Sequence, residues 1–205
     1  GWGARPFADG VSAFYALHTG NVDNNLAEMY ESKWPILMTR YSLRVGKGGE
    51  GKFRGGFGIV KEYTTHPKHE VTVTTLADRC VYPPYGLLGG RPGAPGRWTK
   101  ISASGKEAPL SPFGGKISKA VLLPGESVRI ETPGGGGYGD PLEREPQMVL
   151  DDVVNEYVSV RQAERAYGVA IDRKTMTVDA EGTRRLRRDL AARKTPSGSR
   201  ESTAK

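Results

Sequence analysis

The chain has 205 residues, a hydrophobic fraction of 37% and, with 28 glycines and 14 prolines, a composition that predicts many loops without reaching that of a disordered protein. This length allows one domain with a proper core and an appendage. The formal net charge is +7, but residues 181–205 hold eight Arg or Lys against three acids, which leaves only +2 for the rest and argues against a nucleic-acid-binding face across the fold.

The cysteine count and the hydropathy pattern favour a cytoplasmic protein. Cys80 is the only cysteine, so an internal disulfide is impossible and a reducing compartment is expected. No apolar run approaches the roughly 18 residues that span a bilayer, and no signal-peptide pattern opens the chain. The chain begins with Gly1 rather than Met, which suggests a tag remnant, proteolysis or a piece of a longer polypeptide.

In chain order, the first half predicts strands separated by turns. Residues 13–18 are apolar and aromatic enough for a strand, and residues 25–34 predict a short helix with Asn25 as cap and Glu28 three residues later. Residues 36–45 alternate like a strand. Two further strands, within 57–65 and 69–78, complete a predicted antiparallel meander.

The middle of the chain is rich in proline and glycine. From Cys80 to Phe113 these residues are too frequent for regular structure, and such long segments are more often functional or interface loops. Residues 117–133 then predict two strands around the turn at Pro124 and Gly125.

The last third predicts helices. An apolar stripe at helical spacing is formed by Met148, Val149, Val153, Val154 and Tyr157. Ser159 and Gln162 form a capping box, and Gly168 stands where a left-handed helix end is expected.

An extended piece within 169–179 and a basic helix to about residue 193 follow, with disorder predicted beyond. We therefore predict an α+β fold, mostly antiparallel β with long Gly/Pro-rich loops, followed by C-terminal helices. Its predicted divisions are a body over residues 1–172 and a basic, partly helical to disordered tail over residues 173–205.

A run of glycines within "ETPGGGGYGDPLE" is the most distinctive local pattern. Gly134, Gly136 and Gly139 match the spacing of a dinucleotide fingerprint after a strand, but Pro141 and Pro146 postpone the helix that should follow. No Lys-Ser or Lys-Thr makes it a Walker loop. A structural role is therefore predicted, with backbone angles that a Cβ forbids and close packing of the following tyrosine; nucleotide binding and an active-site or interface wall stay open. The loop comprises Gly134, Gly135, Gly136, Gly137 and Gly139.

Candidate metal ligands and nucleophiles are sparse. His66 and His69 have a usable spacing, but a stable zinc or iron centre needs three or four ligands, so no metal site is predicted. Cys80 would be a nucleophile only if His18 approached it, and a lone cysteine is more often simply packed.

Some polar residues are candidates for contact with a substrate or an interface, although no catalytic residue is assigned. His18, Asn21 and Asn24 follow the first predicted strand and could hydrogen-bond an amide-like substrate, while turn chemistry explains them equally. Arg54 could pair with a carboxylate or phosphate. Tyr138 completes this set.

Several long segments, taken in order, resemble the C-terminal part of the hydantoinase B/oxoprolinase family. The resemblance covers roughly residues 1–172 and is carried by "GWGARPFADG", "HTGNVDNN", "YSLRVGKGGEGKFRGGFGIVKEY", "DRCVYPPYGLLGGRPGAPG", "LLPGESVRIETPGGGGYGDPLEREP" and "VLDDVVNEYVSVRQAERAYGVAID". The chain departs from the family at "VGKGGEGKF" and at Cys80, and the tail from Arg173 onward has no recognised counterpart. It looks like a fragment, a cleavage product or a separate small subunit.

The resemblance implies chemistry and partners. Family subunits act with an ATP-binding hydantoinase A type partner, and open cyclic amides such as hydantoins, 5-oxoproline or lactams, or carboxylate ketones. ATP phosphorylates the amide or enol oxygen of the small-molecule substrate. ATP with Mg and a divalent transition metal is expected in the complete complex, and the metal ligands belong to an N-terminal portion that is not present here, so this chain alone is expected to bind no cofactor.

Two hypotheses follow. In the first, the chain supplies scaffold and active-site wall to an ATP-dependent amidohydrolase or carboxylase and is inactive without its partner and the N-terminal portion. In the second, it is a non-catalytic assembly module whose basic tail recruits an acidic partner or RNA.

Overall fold

A computed structural model describes residues 1–14 and 25–194, which form two compact units divided between Asp140 and Pro141. The strand predicted over residues 13–18 lies mostly outside the described residues, and so does the segment predicted to be disordered. Each unit contains both helices and antiparallel strands, so the predicted α+β class is confirmed. In the described part of the chain, no helix has the length and apolar character needed to cross a membrane.

The first helix, α1, spans Ala27–Lys33 and begins one residue later than predicted. Leu26 occupies the cap position without a side-chain hydrogen bond, so the assignment of Asn25 as cap is wrong. The helix is anchored at its other end, because the Tyr30 and Trp34 rings lie 5.5 Å apart and Tyr30 also contacts Tyr63 at 5.8 Å. Aromatic packing therefore fixes the C-terminal half of α1 against the strand that contains Tyr63.

A five-stranded antiparallel sheet forms the centre of the first unit. In spatial order its strands are β1 (Ile36–Leu43), β2 (Ile59–Thr65), β7 (Ser127–Glu131), β4 (Arg97–Ile101) and β5 (Glu107–Pro109).

Both β4 and β5 lie within residues 80–113, where the sequence predicts no regular structure. That prediction is wrong for these two short strands. Strand β4 pairs with β7, which places Trp98 opposite Ile130 about 30 residues along the chain, and β5 pairs with β4 at the edge of the sheet. Pairing with a distant strand overrides the weak local propensity.

A separate two-stranded ribbon is formed by β3 (Val71–Leu76) and β6 (Lys116–Leu122). The predicted meander is therefore wrong after its second strand. Strand β2 pairs with β1 and β7, whereas β3 pairs with β6. The two strands predicted around Pro124 and Gly125 are confirmed as β6 and β7, although they belong to different sheets.

The two faces of the five-stranded sheet differ in chemistry. Cross-strand pairing places Tyr41, Lys61, Ile130 and Trp98 in one row of an aromatic and apolar face. The opposite face carries charges: the Arg129 guanidinium bonds Glu62 and Glu107, each at 2.7 Å. These half-buried ion pairs tie β2, β7 and β5 together across the sheet.

The second unit contains α2 (Pro146–Val154), α3 (Val160–Gln162) continued by a π-helical turn (Ala163–Tyr167), the hairpin β8 (Ala170–Asp172) and β9 (Thr177–Asp179), and α4 (Ala180–Lys194). The predicted basic helix is thus confirmed as α4. The hairpin spans residue 172, and the division of the chain at that residue stays a prediction.

The core of the second unit lies under α2 and its neighbours. Its buried members are Val149, Leu150, Val153, Val158, Ala163, Ala166, Tyr167, Val169 and Ile171. The predicted stripe is partly wrong: Leu150 is buried, whereas Val154 is 59% exposed at the last residue of the helix.

The predicted ends of the next helix are confirmed. The Gln162 N–H donates to the Ser159 hydroxyl at 3.1 Å, and Gly168 adopts left-handed angles with φ 61° and ψ 34°.

Candidate functional site

Gly134–Gly137 lie among neighbouring backbone segments at separations that admit no side chain. A Cβ built on Gly134 would lie 1.9 Å from the Lys47 carbonyl oxygen, and one on Gly135 would lie 1.7 Å from the Trp2 carbonyl oxygen. A Cβ on Gly136 would lie 1.8 Å from the Tyr85 carbonyl oxygen. These four glycines and the segments that contact them, within 2–4, 47–57 and 85–94, are called the glycine layer below.

The backbone angles differ from the sequence-based expectation. Left-handed φ values are found at Gly139, with φ 73°, but not at Gly134–Gly137. The run of four is therefore required by close approach of the backbone on several sides rather than by unusual angles. Within the glycine loop, Gly139 combines a left-handed angle with a close neighbour, because the Lys52 Cβ would lie 3.0 Å from an added methyl group.

Backbone hydrogen bonds join the segments of the glycine layer. The N–H groups of Gly134, Gly135 and Gly137 donate to the carbonyls of Ala94, Gly56 and Arg91 at 3.0, 2.9 and 2.9 Å. In return, the Gly136 and Gly137 carbonyls accept from Ala4 and Leu87 at 2.8 and 2.9 Å. These N–H groups are already occupied, so they do not form the free anion cradle that a dinucleotide fingerprint provides.

Two predicted contact residues, Tyr138 and Arg54, lie on paired backbone segments beside the four glycines. Tyr138 exchanges two backbone hydrogen bonds with Phe53, at 2.9 and 3.0 Å, and Phe53 directly precedes Arg54. Tyr138 is half-buried. The other predicted contact residues, His18, Asn21 and Asn24, lie outside the described residues.

Arg54 is held inside the first unit. Its guanidinium carbon lies 4.4 Å from the centre of the Phe57 ring, and its Nη2 lies 3.7 Å from Asp9 Oδ2. The Asp9 carboxylate also accepts the Arg54 backbone N–H at 2.7 Å. The predicted carboxylate partner of Arg54 is thus supplied by this chain, and the arginine orders the segment around Asp9.

A second buried arginine supports the strand that leads into the glycines. Arg44 Nε bonds Glu131 Oε1 at 3.1 Å, and its Nη1 donates to the Pro95 and Thr132 carbonyls at 2.7 and 3.1 Å. One side chain therefore joins β7 to the loop before β4.

Cys80 and the two described histidines do not form a reactive cluster. The Cys80 thiol is half-buried and lies 3.6 Å from the Asp78 carbonyl oxygen. The His66 and His69 rings lie 5.3 Å apart on an exposed turn. Within residues 1–14 and 25–194, no group of three or more His, Cys, Asp or Glu side chains could hold a metal.

Two of the open cavities in the described part of the first unit are bordered by aromatic side chains. One of about 420 Å³ is bordered by Tyr30, Trp34, Tyr63, Trp98 and neighbouring aliphatic side chains on the apolar sheet face. Burial, and then the proximity of Tyr30 and Tyr41, raises the pKa of Tyr63 to about 12, so this phenol stays neutral. Sequence reasoning missed this groove because its members come from five separate segments.

The other cavity, of about 520 Å³, lies between residues 77–82 and Phe113, Gly115 and Lys116. Lys116 Nζ bonds Asp78 Oδ1 at 2.6 Å, and this hydrogen bond lowers the pKa of the Asp78 carboxyl. Both side chains are exposed, so the pair contributes little to stability.

Comparisons with known proteins identify the relatives of this chain. A 5-oxoprolinase of Pestalotiopsis fici is 38% identical over 69% of this chain and 11% of its own length. A solved structure of ATP-dependent caprolactamase from Pseudomonas jessenii matches with a TM-score of 0.74 and 30% identity, covering 91% of this chain and 32% of that one. A nucleotide-free structure of acetone carboxylase matches with a TM-score of 0.72 and 26% identity, covering 95% of this chain and 30% of that one.

The chain spans less than a third of each of these proteins. These relatives do not favour the alternative of a non-catalytic assembly module. The profile of the family described as Hydantoinase B/oxoprolinase matches residues 1–141, and the chain therefore belongs to that family.

Proposed function

We propose that this chain is part of a subunit of an ATP-dependent enzyme that opens cyclic amides or carboxylates ketones. The observation that carries this proposal is the shared fold, over more than nine tenths of the chain, with two ATP-dependent enzymes. One of them acts on a lactam and the other carboxylates acetone. Either reaction is consistent with the sequence of this chain.

The distribution of apolar side chains supports a part that is completed by other polypeptide. In the described part of the first unit, the buried apolar side chains are Phe57, Val60, Ile117, Leu122 and Val128. By contrast, all the strongly exposed large apolar side chains of the described residues, except Val154 and Met176, belong to this unit. Abundant exposed apolar side chains are typical of a surface that another polypeptide covers.

The chain contributes scaffold and wall in this proposal. The segments of the glycine layer are joined by backbone hydrogen bonds of 2.7–3.0 Å. Such a rigid layer can position functional groups that other polypeptide supplies. The described residues offer no metal cluster, so the divalent transition metal and Mg-ATP would be held by the N-terminal portion of the subunit and by a hydantoinase A type partner. The proposal includes a cytoplasmic location for the assembly, which is supported by a single cysteine, Cys80, in this chain.

Measurement of ATP hydrolysis tests the proposal. The isolated chain and the assembly purified from its native source would each be given hydantoin, 5-oxoproline, caprolactam, or acetone with bicarbonate. We expect no ATP hydrolysis by the chain alone and substrate-stimulated hydrolysis by the assembly, with product identified by mass. The proposal would be refuted by turnover in the isolated chain, or by an assembly whose ATP hydrolysis is stimulated by none of the four substrates.

A further inference from the structure

A short segment beside the glycine layer exposes an unusual density of apolar side chains. Within eight residues, Val81, Tyr82, Tyr85, Leu87 and Leu88 each expose between 50% and 80% of their area. No charged residue occurs from Cys80 to Gly90. The Arg79 guanidinium carbon lies 6.0 Å from the centre of the Tyr85 ring. Single exposed apolar residues are ordinary, but a dense cluster of them is typical of a surface that another polypeptide covers. These five side chains are called the 81–88 surface below.

The backbone under the 81–88 surface is held firmly. The Leu87 N–H donates to the Gly137 carbonyl, and its own carbonyl accepts from Gly139, both at 2.9 Å. The Pro84 carbonyl accepts the Gly93 N–H at 2.9 Å. The side chains therefore project from an ordered base, which lowers the entropic cost of binding a partner.

The backbone of Leu88 adopts a strained conformation. Its φ of 47° lies in the left-handed region, which is unfavourable for leucine. Its side chain is 76% exposed, so packing within the described chain does little to offset that cost. Backbone strain of this kind persists where the residue serves a contact.

We infer that the 81–88 surface is buried against the portion of a longer family-type subunit that this chain does not contain. This inference rests on the proposed function. In the two solved relatives the same fold accounts for only 30% and 32% of the chain, so it is embedded in a polypeptide about three times as long. An uncharged surface of Tyr, Val and Leu matches an apolar, permanent contact of that kind better than a transient polar one.

Hydroxyl-radical footprinting with mass spectrometry tests the inference. The modification rates of Tyr82, Tyr85 and Leu88 would be compared between the isolated chain and the assembly from its native source, with a reporter peptide to calibrate the radical dose. We expect each rate to fall at least fivefold in the assembly; a smaller fall overturns the inference. Protection in the isolated chain at high concentration, together with a dimer mass, overturns it in favour of a second copy.

Substitution of Leu88 gives a test with two opposite readouts. Leu88→Gly is expected to leave unchanged or raise the thermal midpoint of the isolated chain, because glycine accepts this φ. When the remaining portion of the subunit is supplied as a separate polypeptide, the same change is expected to lower the amount of chain retained by it at least tenfold. Leu123→Ala, which removes an exposed leucine side chain elsewhere in the unit, serves as the matched control and should leave retention unchanged; equal loss in both variants contradicts the inference.

These outcomes are separable from those of the proposed function. Protection of the 81–88 surface in an assembly without ATP-dependent turnover leaves the inference standing and refutes the function. ATP-dependent turnover by an assembly in which the 81–88 surface is not protected supports the function and refutes the inference.

Discussion

At the scale of single residues, the glycines of the glycine layer are distinguished by what surrounds them. We expect Gly135→Ala to destabilise the chain by about 3 kcal/mol or to prevent folding, because overpacking costs about 1–3 kcal/mol even where flexible side chains can yield and here the added methyl group meets the Trp2 carbonyl at 1.7 Å. Urea unfolding followed by tryptophan fluorescence would measure this change.

Gly3→Ala is the matched control for this prediction. The nearest atom to its added methyl group is 3.9 Å away, and Gly3 has no left-handed φ. Its free energy of unfolding should change by less than about 0.5 kcal/mol. Similar losses for the two alanines would contradict the role of close backbone approach.

Arg54 also acts through packing. Arg54→Met is expected to lower the free energy of unfolding by about 1–3 kcal/mol, because it removes the ring contact with Phe57 and the cation that faces Asp9. Arg5→Met, at an exposed arginine over the Phe7 ring, should cost less than about 0.5 kcal/mol. Equal stability of the two variants in urea would refute a structural role for Arg54.

At the scale of elements, the turn between β6 and β7 depends on one carboxylate. Burial alone would raise the pKa of Glu126, but hydrogen bonds from Lys100 and from the Leu123 N–H outweigh it and hold that pKa below its ordinary value of 4.5. The Lys100 ammonium lies 2.5 Å from Glu126 Oε2, and the Leu123 N–H donates to the same oxygen at 2.7 Å. The folded state therefore favours the ionised form.

The pH dependence follows from this direction. A lowered pKa in the folded state stabilises the chain above about pH 4.5, and this stabilisation is lost as the pH falls through the folded-state pKa. Glu126→Gln should reduce stability at pH 7 and flatten its decline between pH 5 and 3. Parallel acid profiles for wild type and variant, measured by urea unfolding at each pH, would contradict this prediction.

The start of α4 depends on Asp179. Its Oδ1 accepts the Glu181 and Gly182 N–H groups at 3.1 and 2.9 Å. Asp179→Ala should cost about 1 kcal/mol through loss of this N-cap, measured as a lower thermal midpoint by circular dichroism. Asp189→Ala, at an exposed position later in the helix, should leave the midpoint nearly unchanged; a larger loss there would contradict the cap.

At the scale of the whole molecule, exposed apolar surface should govern how the isolated chain behaves. We expect the folded chain to bind the dye anilinonaphthalene sulfonate, because so many large apolar side chains of its first unit face outward. Tyr82→Ser combined with Leu88→Asn should reduce the bound dye by at least half while the near-ultraviolet circular dichroism is kept. Absence of dye binding by the folded wild-type chain would contradict this description.

Local patterns predicted the elements more reliably than their partners. Strands β1, β2, β6 and β7, the Ser159 cap and helix α4 follow from alternation, capping residues and composition close to each element. The split of β3 from β2 and the insertion of β4 beside β7 were not predicted. Pairing choices depend on residues tens of positions away, which no local window contains.

The candidate site shows the same division. The sequence identified the glycine run as structural, and its resemblance to the family agrees with the profile match over residues 1–141. It expected unusual backbone angles, whereas the structure shows backbone carbonyls within about 2 Å of any added methyl group on Gly134, Gly135 and Gly136. Steric demand from distant segments leaves no trace in local spacing beyond the glycines themselves.

By itself, the sequence determined the family, the mixed fold class, the basic helix and the place of the glycine run, since each depends on residue type and short-range order. Only the tertiary structure decided which strands pair, that Arg54 faces Asp9, and that the first unit exposes many of its large apolar side chains. The physical reason is that burial and close approach are properties of pairs of distant segments. Such pairs exist only after the chain has folded.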